Sequence, residues 1–211
     1  MNTLIAVPCM DSVPAVFCQS LAMLKGLGNC KLAFQVGSLI YNSRNKLTNQ
    51  AIKSDADFVL WLDSDMLFEP ELLQKMIKTL EDNKLDILTG VYYRRVEPYT
   101  PVLFNVLDVM DEKCESSEFD LIPDELFEVG GCGFGCVLMR TQVLFDVVAK
   151  FKDAFSPIGR IGEDLSFCWR ARECGYKIFA DPNIFLGHCA HTVITKDFYE
   201  AFLKVKQGEK K

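Results

Sequence analysis

The chain has 211 residues, a formal net charge of −6 and a pI near 5.0, and 49% of its residues are hydrophobic. That length suits one domain with a sizeable core, and an acidic chain without a basic stripe argues against nucleic acid as the main partner. No apolar run approaches the length of a membrane span, and the first eight residues lack the basic region of a signal peptide. Nine cysteines without a secretory signal indicate reduced thiols, which predicts a cytoplasmic protein.

The first part of the chain alternates between strand and helix signals. Short apolar runs predict four strands, at residues 3–8, 31–36, 58–62 and 86–92. Helices are expected between them, the first capped by Asp11 or Ser12 and the second by Asn42 or Ser43, at about residues 12–27, 42–53 and 70–80. This alternation predicts an α/β fold with a parallel sheet and right-handed crossovers.

The periodicity fades from residue 96 to about residue 127. Prolines and acidic residues in this stretch predict a long and partly irregular excursion. A glycine-dense turn at 130–135 follows it. The remaining signals predict a strand at 136–139, a helix at 141–151, a mobile loop at 154–161, a helix at 163–174, strands at 177–180 and 184–186, a last helix at 196–205 and a polar tail at 206–211.

Two aspartates end the apolar run at residues 58–62. Asp63 and Asp65 follow it directly, with Ser64 between them. Because open α/β sheets bind ligands at the carboxyl ends of their strands, both carboxylates are expected to face a ligand. Two carboxylates this close repel each other unless a cation holds them, and a divalent metal is the simplest candidate. The alternative is that they only end the strand and cap the next helix.

Three further groups could take part in chemistry. They are Arg44 on the second helix, the pair Glu163 and Asp164 at the start of a helix, and His188 just after a strand. Each also has an ordinary interpretation. Arg44 could be a solvated surface arginine, Glu163 and Asp164 could simply favour a helix N-terminus, and His188 could be a core or surface histidine. His191 is an alternative to His188. A zinc site built from these histidines and the cysteines near Cys132 lacks the usual ligand spacing.

The order of these groups resembles the glycosyltransferases of the GT-A fold, in particular the family 2-like members. The resemblance runs from about residue 3 to residue 188 and includes the glycine-rich turn. It implies a single α/β domain over 1–211 with a Rossmann-like, mixed but mostly parallel sheet flanked by helices. Residues 1–95 would form the nucleotide-binding half and 96–195 the acceptor-side half.

The resemblance also assigns residues to the nucleotide. Pro8 and Asp11 fall where the first loop of the family holds the base, and Arg44 falls where a helix residue helps to bind the nucleotide. Asp63, Ser64 and Asp65 resemble the D-x-D motif. In that motif the first aspartate contacts the ribose, or the metal through water, and the second binds the metal.

The remaining assignments concern the metal and the base. His188 matches a histidine that completes the metal site beside Asp65 and Asp63. Asp164, with Glu163 next to it, matches the motif whose aspartate is the general base of inverting members. The implied cofactor is Mn²⁺ or Mg²⁺, and mixed oxygen and imidazole ligands suit manganese better than calcium.

The implied activity is transfer of a sugar from a UDP- or GDP-linked donor to a hydroxyl of a glycan, a protein or a small molecule. Two alternatives remain open. A haloacid dehalogenase-like phosphatase also has Asp-x-Asp after an apolar strand, but the motif there usually opens the domain. A module that binds nucleotide or glycan without catalysis is the other. A nicotinamide-dependent enzyme is disfavoured because no glycine lies between Pro8 and Pro14.

Overall fold

The computed structural model describes residues 1–110, 113–119, 121–190 and 196. Except for residue 196, the predicted helix at 196–205 lies outside these residues, as do His191 and the tail at 206–211. The strands are β1 (Thr3–Cys9), β2 (Cys30–Val36), β3 (Phe58–Leu62), β4 (Met66–Leu67), β5 (Ile87–Val91), β6 (Leu103–Met110), β7 (Lys113–Glu118), β8 (Phe127–Val129), β9 (Gly131–Cys132), β10 (Cys136–Arg140), β11 (Ile178–Phe185) and β12 (Gly187–His188). The α-helices are α1 (Ala15–Met23), α2 (Ile40–Ile52), α3 (Leu72–Asp82), α4 (Thr141–Phe151) and α5 (Glu163–Glu173).

A central sheet orders seven of these strands as β2-β1-β3-β10-β5-β11-β8. β1 pairs in parallel with β2 and β3, and β5 pairs in parallel with β11. β10 and β8 run antiparallel to their neighbours, so five of the seven strands point the same way. Every residue of β1, β3 and β5 is buried, which is why these strands are continuous apolar runs in the sequence. The predicted α/β class with a mixed, mostly parallel sheet is confirmed.

Helices cover both faces of this sheet. The core on one face is built with residues of α2, α4 and α5, and the core on the other face with residues of α1 and α3. On the first face, Trp61 of β3 packs edge-on against Phe134 and Phe155, with ring centroids 6.0 and 5.1 Å away. No helix in the described ranges is both long and apolar enough to cross a bilayer.

The first two helices start elsewhere than predicted. α1 begins at Ala15 with Pro14 as its N-cap residue, and neither Asp11 nor Ser12 provides a side-chain cap. The reason is that a residue before proline avoids the helical region, so the helix cannot extend back through residue 13. It ends at Met23 and a 3-10 turn, Leu27–Asn29, follows. α2 begins at Ile40, before the predicted caps, and also lacks a side-chain cap.

The stretch at 96–127 contains regular structure that the sequence did not indicate. β6 and β7 form an antiparallel hairpin, and β6 also pairs with β9. The prediction of an irregular excursion is therefore wrong over this hairpin. β7 has the sequence KCESSE, which shows no alternation of apolar and polar residues, so only its pairing with β6 identifies it as a strand. The strands predicted at 177–180 and 184–186 form one strand, β11, whose register shifts between Ala180 and Phe185.

A two-stranded pairing joins the middle of the chain to its last described part. β4 follows Asp65 directly and pairs antiparallel with β12, so that Met66 lies opposite His188. The backbone N–H of Cys189 also donates to the carbonyl oxygen of Asp65 at 2.8 Å. These main-chain bonds fix His188 beside the aspartates that follow β3.

Candidate active site

A cleft of about 580 Å³ opens where β1, β2, β3 and β5 end. The ends of parallel strands are where α/β sheets place their ligands. All of the predicted site residues except one line this cleft, namely Pro8, Arg44, Asp63, Ser64, Asp65, Glu163, Asp164 and His188.

Asp11 is the predicted site residue that does not line the cleft. It is exposed, and its Oδ1 accepts a hydrogen bond from the Ser12 hydroxyl at 3.3 Å. β1 continues through Pro8 to Cys9 instead of ending at the proline, so Pro8, Cys9 and Met10 reach the cleft and Asp11 lies beyond it.

Arg44 is buried and holds two of the predicted acids. Its side chain is only 2% exposed, so the solvated-arginine interpretation is wrong. Nη2 donates to Asp63 Oδ1 at 2.8 Å, and Nε donates to Glu163 Oε1 at 3.3 Å. The guanidinium also lies 5.1 Å from the ring centroid of Phe134, within cation–π range. Burial, together with the charges of Asp65 and Glu163, raises the pKa of Asp63, although the contacts with Arg44 act in the opposite direction.

Glu163, for which a catalytic role is predicted, contacts Arg44 in the structure. Its side chain is 18% exposed, and its Oε1 accepts from Arg44 Nε, whereas Asp63 accepts from Nη2 of the same guanidinium. Through these two contacts Arg44 connects the end of β3 to the start of α5. The Nη1 atom of Arg44 is buried and has no hydrogen-bond partner among the residues that the structure describes.

Asp65 forms a second charged cluster with Arg95 and His188. Its Oδ2 accepts from Arg95 Nη1 at 2.8 Å and lies 3.5 Å from His188 Nε2. Burial raises the pKa of Asp65, but the contacts with His188 and Arg95 together outweigh it, so that this pKa lies below its usual value. The hydrogen bond to Asp65 in turn raises the pKa of His188.

The orientation of the His188 ring fits a metal ligand. Nδ1 lies 2.9 Å from the carbonyl oxygen of Tyr93, and because a carbonyl only accepts, Nδ1 carries the hydrogen. Nε2 then faces Asp65. An imidazole oriented by a backbone carbonyl is the usual outer-shell arrangement of metal-binding histidines. The ring of Tyr92 supports it from the side, edge-on at 5.4 Å.

The predicted set of three metal ligands is not assembled. Among the described residues, no group of three or more His, Cys, Asp or Glu side chains could hold a metal ion. The reason is that Asp63 faces Arg44, which leaves Asp65 and His188 as a two-residue set. The cysteines whose side chains the structure describes are free thiols, and no zinc site is found among those residues.

Asp164 lies in the first turn of α5 and lines the cleft. Its Oδ1 accepts from the Leu165 N–H at 2.8 Å. Burial, with help from the charge of Glu163, raises its pKa to about 6, although the Leu165 bond and Arg44 act in the opposite direction. Burial therefore outweighs the tendency of a helix N-terminus to keep an aspartate acidic. A side chain at Gly162 would place Cβ 2.9 Å from Asp164 Oδ1, so glycine leaves room for this carboxylate.

Several cleft residues were not predicted. Arg95 and Tyr92 follow β5, and Gly37 and Ser38 follow β2. The signal was available, since these residues follow strands of the predicted sheet, as Asp63 does. The glycine turn has a packing role: Gly135 donates its N–H to Tyr92 Oη at 3.1 Å, and a Cβ there would lie 2.7 Å from Tyr92 Cζ.

Comparisons with known proteins identify the family of this chain. The sequence profile described as glycosyl transferase family 2 matches residues 39–146, just over half of the chain. That stretch contains Arg44, Asp63 and Asp65 but ends before Asp164 and His188. A search of curated proteins gives no match.

Two solved structures share the fold. The crystal structure of A197 from STIV is 18% identical, with a TM-score of 0.62 over 92% of this chain and 97% of that chain. The crystal structure of GalNAc-T7 with UDP, GalNAc and Mn²⁺ is 10% identical, with a TM-score of 0.61 over 98% of this chain and 48% of that chain. At these identities the likeness shows the fold alone.

The family match and the fold together decide against one of the alternatives. The phosphatase interpretation fails, because the profile that matches the Asp63–Asp65 region is that of glycosyl transfer. The chain belongs to glycosyl transferase family 2, has the GT-A fold and is a glycosyltransferase.

Proposed function

We propose that this glycosyltransferase moves a sugar from a UDP- or GDP-linked donor to a hydroxyl of a glycan, a protein or a small molecule, with inversion at the anomeric carbon. One observation carries the proposal. Asp65 and His188 lie together in the same cleft as Asp164, whose pKa is raised to about 6.

The donor diphosphate would bind beside Asp65 and His188. These two side chains would hold Mn²⁺ or Mg²⁺, and the phosphates would supply further ligands. Such a cation stabilises the negative charge of the leaving diphosphate as a Lewis acid. The GalNAc-T7 structure, solved with UDP, GalNAc and Mn²⁺, supports a divalent cation in this fold.

The nucleoside would lie toward β1 and β2. This end of the cleft is lined by Pro8, Cys9, Met10, Gly37 and Ser38, whose mixture of apolar groups and backbone suits a flat base. At the middle of the cleft, Arg44 holds one oxygen of Asp63. The other oxygen of that carboxylate would accept hydrogen bonds from hydroxyls of the nucleotide sugar, and Ser64 would form hydrogen bonds with the same hydroxyls.

Asp164 would act as the general base. It takes the proton of the acceptor hydroxyl while the acceptor oxygen bonds to the anomeric carbon and the bond to the diphosphate breaks. A base with a pKa near 6 is ionised at neutral pH and remains a better proton acceptor than an ordinary aspartate. Glu163 does not contact the acceptor in this scheme but positions Arg44. Free thiols at the described cysteines support action in a reducing compartment such as the cytoplasm.

A thermal-shift experiment tests the donor site. UDP and GDP are added with and without Mn²⁺, to the native chain and to Asp65→Ala. A ligand present at a hundredfold excess over its Kd stabilises the native state by about 2.7 kcal/mol. We expect a shift that requires both nucleotide and Mn²⁺ and disappears in Asp65→Ala. A shift that is independent of metal and unchanged in the variant would contradict the site.

The anomeric outcome tests the base separately. Donor turnover with an accepted hydroxyl should give a product of the opposite configuration by NMR, and retention would remove Asp164 from its role. Nucleotide binding without any turnover would instead favour a binding module.

A further inference from the structure

A positively charged side chain, that of Arg95, already contacts Asp65 in the structure. Arg95 Nη1 donates to Asp65 Oδ2 at 2.8 Å, and the same oxygen faces His188 Nε2 at 3.5 Å. A divalent cation held by Asp65 and His188 needs this oxygen. Arg95 therefore occupies the position that the proposed metal requires, and both cannot bind there in the same way.

Arg95 is able to leave this position because its side chain is exposed while its backbone is supported. The side chain is 49% exposed. The loop that carries it is closed by a bridge between Tyr93 and Pro101, and by a hydrogen bond from the Arg94 N–H to the Thr100 carbonyl at 3.0 Å. Exposed ion pairs are weak, so rotation of the side chain away from Asp65 needs no change in the loop.

The released guanidinium remains at the wall of the cleft where the diphosphate would lie. A guanidinium binds phosphate oxygens in a planar, two-point geometry, so a phosphate beside Asp65 is a natural second partner for Arg95. The neighbouring Arg94 also lines the cleft but is engaged elsewhere, since its Nη2 donates to Glu118 of β7. The two adjacent arginines thus have different carboxylate partners.

We infer that Arg95 is a placeholder for the metal: it neutralises Asp65 in the free protein and moves to the diphosphate when the metal and nucleotide bind. The inference rests on the proposed function. It assigns Arg95 as a donor-binding residue and makes metal and nucleotide binding cooperative, because the nucleotide gives Arg95 a new partner at the moment when it releases Asp65.

The test measures binding to the whole chain by titration calorimetry, first with Mn²⁺ alone and then with UDP and GDP at saturating Mn²⁺. Arg95→Gln is compared with the native chain and with Arg94→Gln, which removes the same charge from the adjacent residue. Arg95→Gln should bind Mn²⁺ alone about threefold more tightly, because a competitor of the strength of an exposed ion pair is gone. It should bind the favoured nucleotide at least about tenfold more weakly than Arg94→Gln does, because a charged hydrogen bond to phosphate is lost.

Equal Mn²⁺ affinities in the two arginine variants, or an unchanged nucleotide affinity in Arg95→Gln, would overturn the inference and leave the proposed function intact. The Asp65→Asn variant separates the two ideas. If it binds Mn²⁺ and nucleotide as the native chain does, or if the native chain binds neither, the proposed function fails and the inference fails with it. Thermal unfolding of each variant confirms that the chain remains folded.

Discussion

Two arginines that line the cleft each contact one aspartate of the Asp63–Asp65 pair, and the two arginines differ in their burial. Arg44 is 2% exposed, lies among aromatic rings and contacts both Asp63 and Glu163. Arg95 is 49% exposed, lies on a surface loop and contacts Asp65. The distances to the aspartates are the same, 2.8 Å in each case, so the difference between the two pairs lies in their surroundings.

This difference indicates what each aspartate can do. A buried ion pair is strongly destabilised when one partner is removed, because the remaining charge stays in a medium of low polarity. An exposed pair exchanges its partners easily, because water and ions compensate for them. The two aspartates are about equally exposed, at 31% and 27%, so the contrast lies in the arginines: Arg44 holds one oxygen of Asp63 in a fixed position, whereas Arg95 can release Asp65.

The largest expected effect is on stability and comes from Arg44. Arg44→Met removes the partner of Asp63 and Glu163 and should lower the free energy of unfolding by about 3–5 kcal/mol. Arg44→Lys keeps the charge but cannot reach both acids with a planar fork, so its loss should be intermediate. Denaturant unfolding monitored by circular dichroism measures both. A loss below about 1 kcal/mol in Arg44→Met would show that this cluster is not part of the framework.

The next largest effect is expected on catalysis. It comes from Asp164, which accepts no hydrogen bond from Arg44 or Arg95. Asp164→Asn should lower turnover by about 10²–10⁴-fold, the usual contribution of a general base. Because the pKa of Asp164 is about 6, the rate of the native chain should rise with pH up to that value and then level off. A rate that does not change between pH 5 and pH 8 would contradict this assignment.

Asp164 is also expected to lower the stability of the native state when it is ionised. The pKa of Asp164 is higher in the folded chain than the value near 3.9 of an unfolded aspartate. Between about pH 4 and pH 6 the native state therefore binds the proton of Asp164 more tightly than the unfolded state does. The contribution of Asp164 to stability falls as the pH rises through this range. Asp164→Asn removes this penalty, so the variant should unfold at a temperature no lower than that of the native chain at pH 7.5. A clearly lower value would mean that the carboxylate stabilises the fold.

The smallest effect is expected from Arg95. Arg95→Gln should change the free energy of unfolding by less than about 1 kcal/mol, since the pair it breaks is exposed. The measurement is the same denaturant titration as for Arg44, so the two values compare the clusters directly. A loss as large as that of Arg44→Met would show that Asp65 is also fixed in the framework.

The parts of the fold that could be predicted are those in which the local sequence determines where a strand or helix begins and ends. The β3 strand has the predicted bounds because an apolar run ends at Asp63. The α4 helix ends at Phe151 as predicted, but its N-cap residue is Arg140, and Thr141 provides no cap. The start of α1 was wrong because Pro14 restricts the residue before it, a steric effect that outweighs capping by Asp11 or Ser12. The β6–β7 hairpin was missed because β7 has no apolar face of its own.

The candidate residues of the site could be predicted from the sequence, but the contacts between them could not. Asp63, Asp164 and His188 could be chosen because each lies at the end of an element, where side chains of a sheet meet. The burial of Arg44 could not be predicted, because it depends on Glu163, which is 119 residues away in the sequence. Likewise β4 and β12 have two residues each, too few to show any periodicity, yet their pairing determines where His188 lies.

That short pairing also determines when the site can exist. Asp65 and the strand that brings His188 to it are separated by more than a hundred residues, so the site forms only after a long chain closure. During synthesis the aspartate leaves the ribosome well before the histidine, and until β12 docks on β4 the carboxylate lacks its imidazole neighbour. The proposed affinity for a divalent ion would thus be a property of the completed fold, and its appearance during refolding would report the docking of β12 on β4.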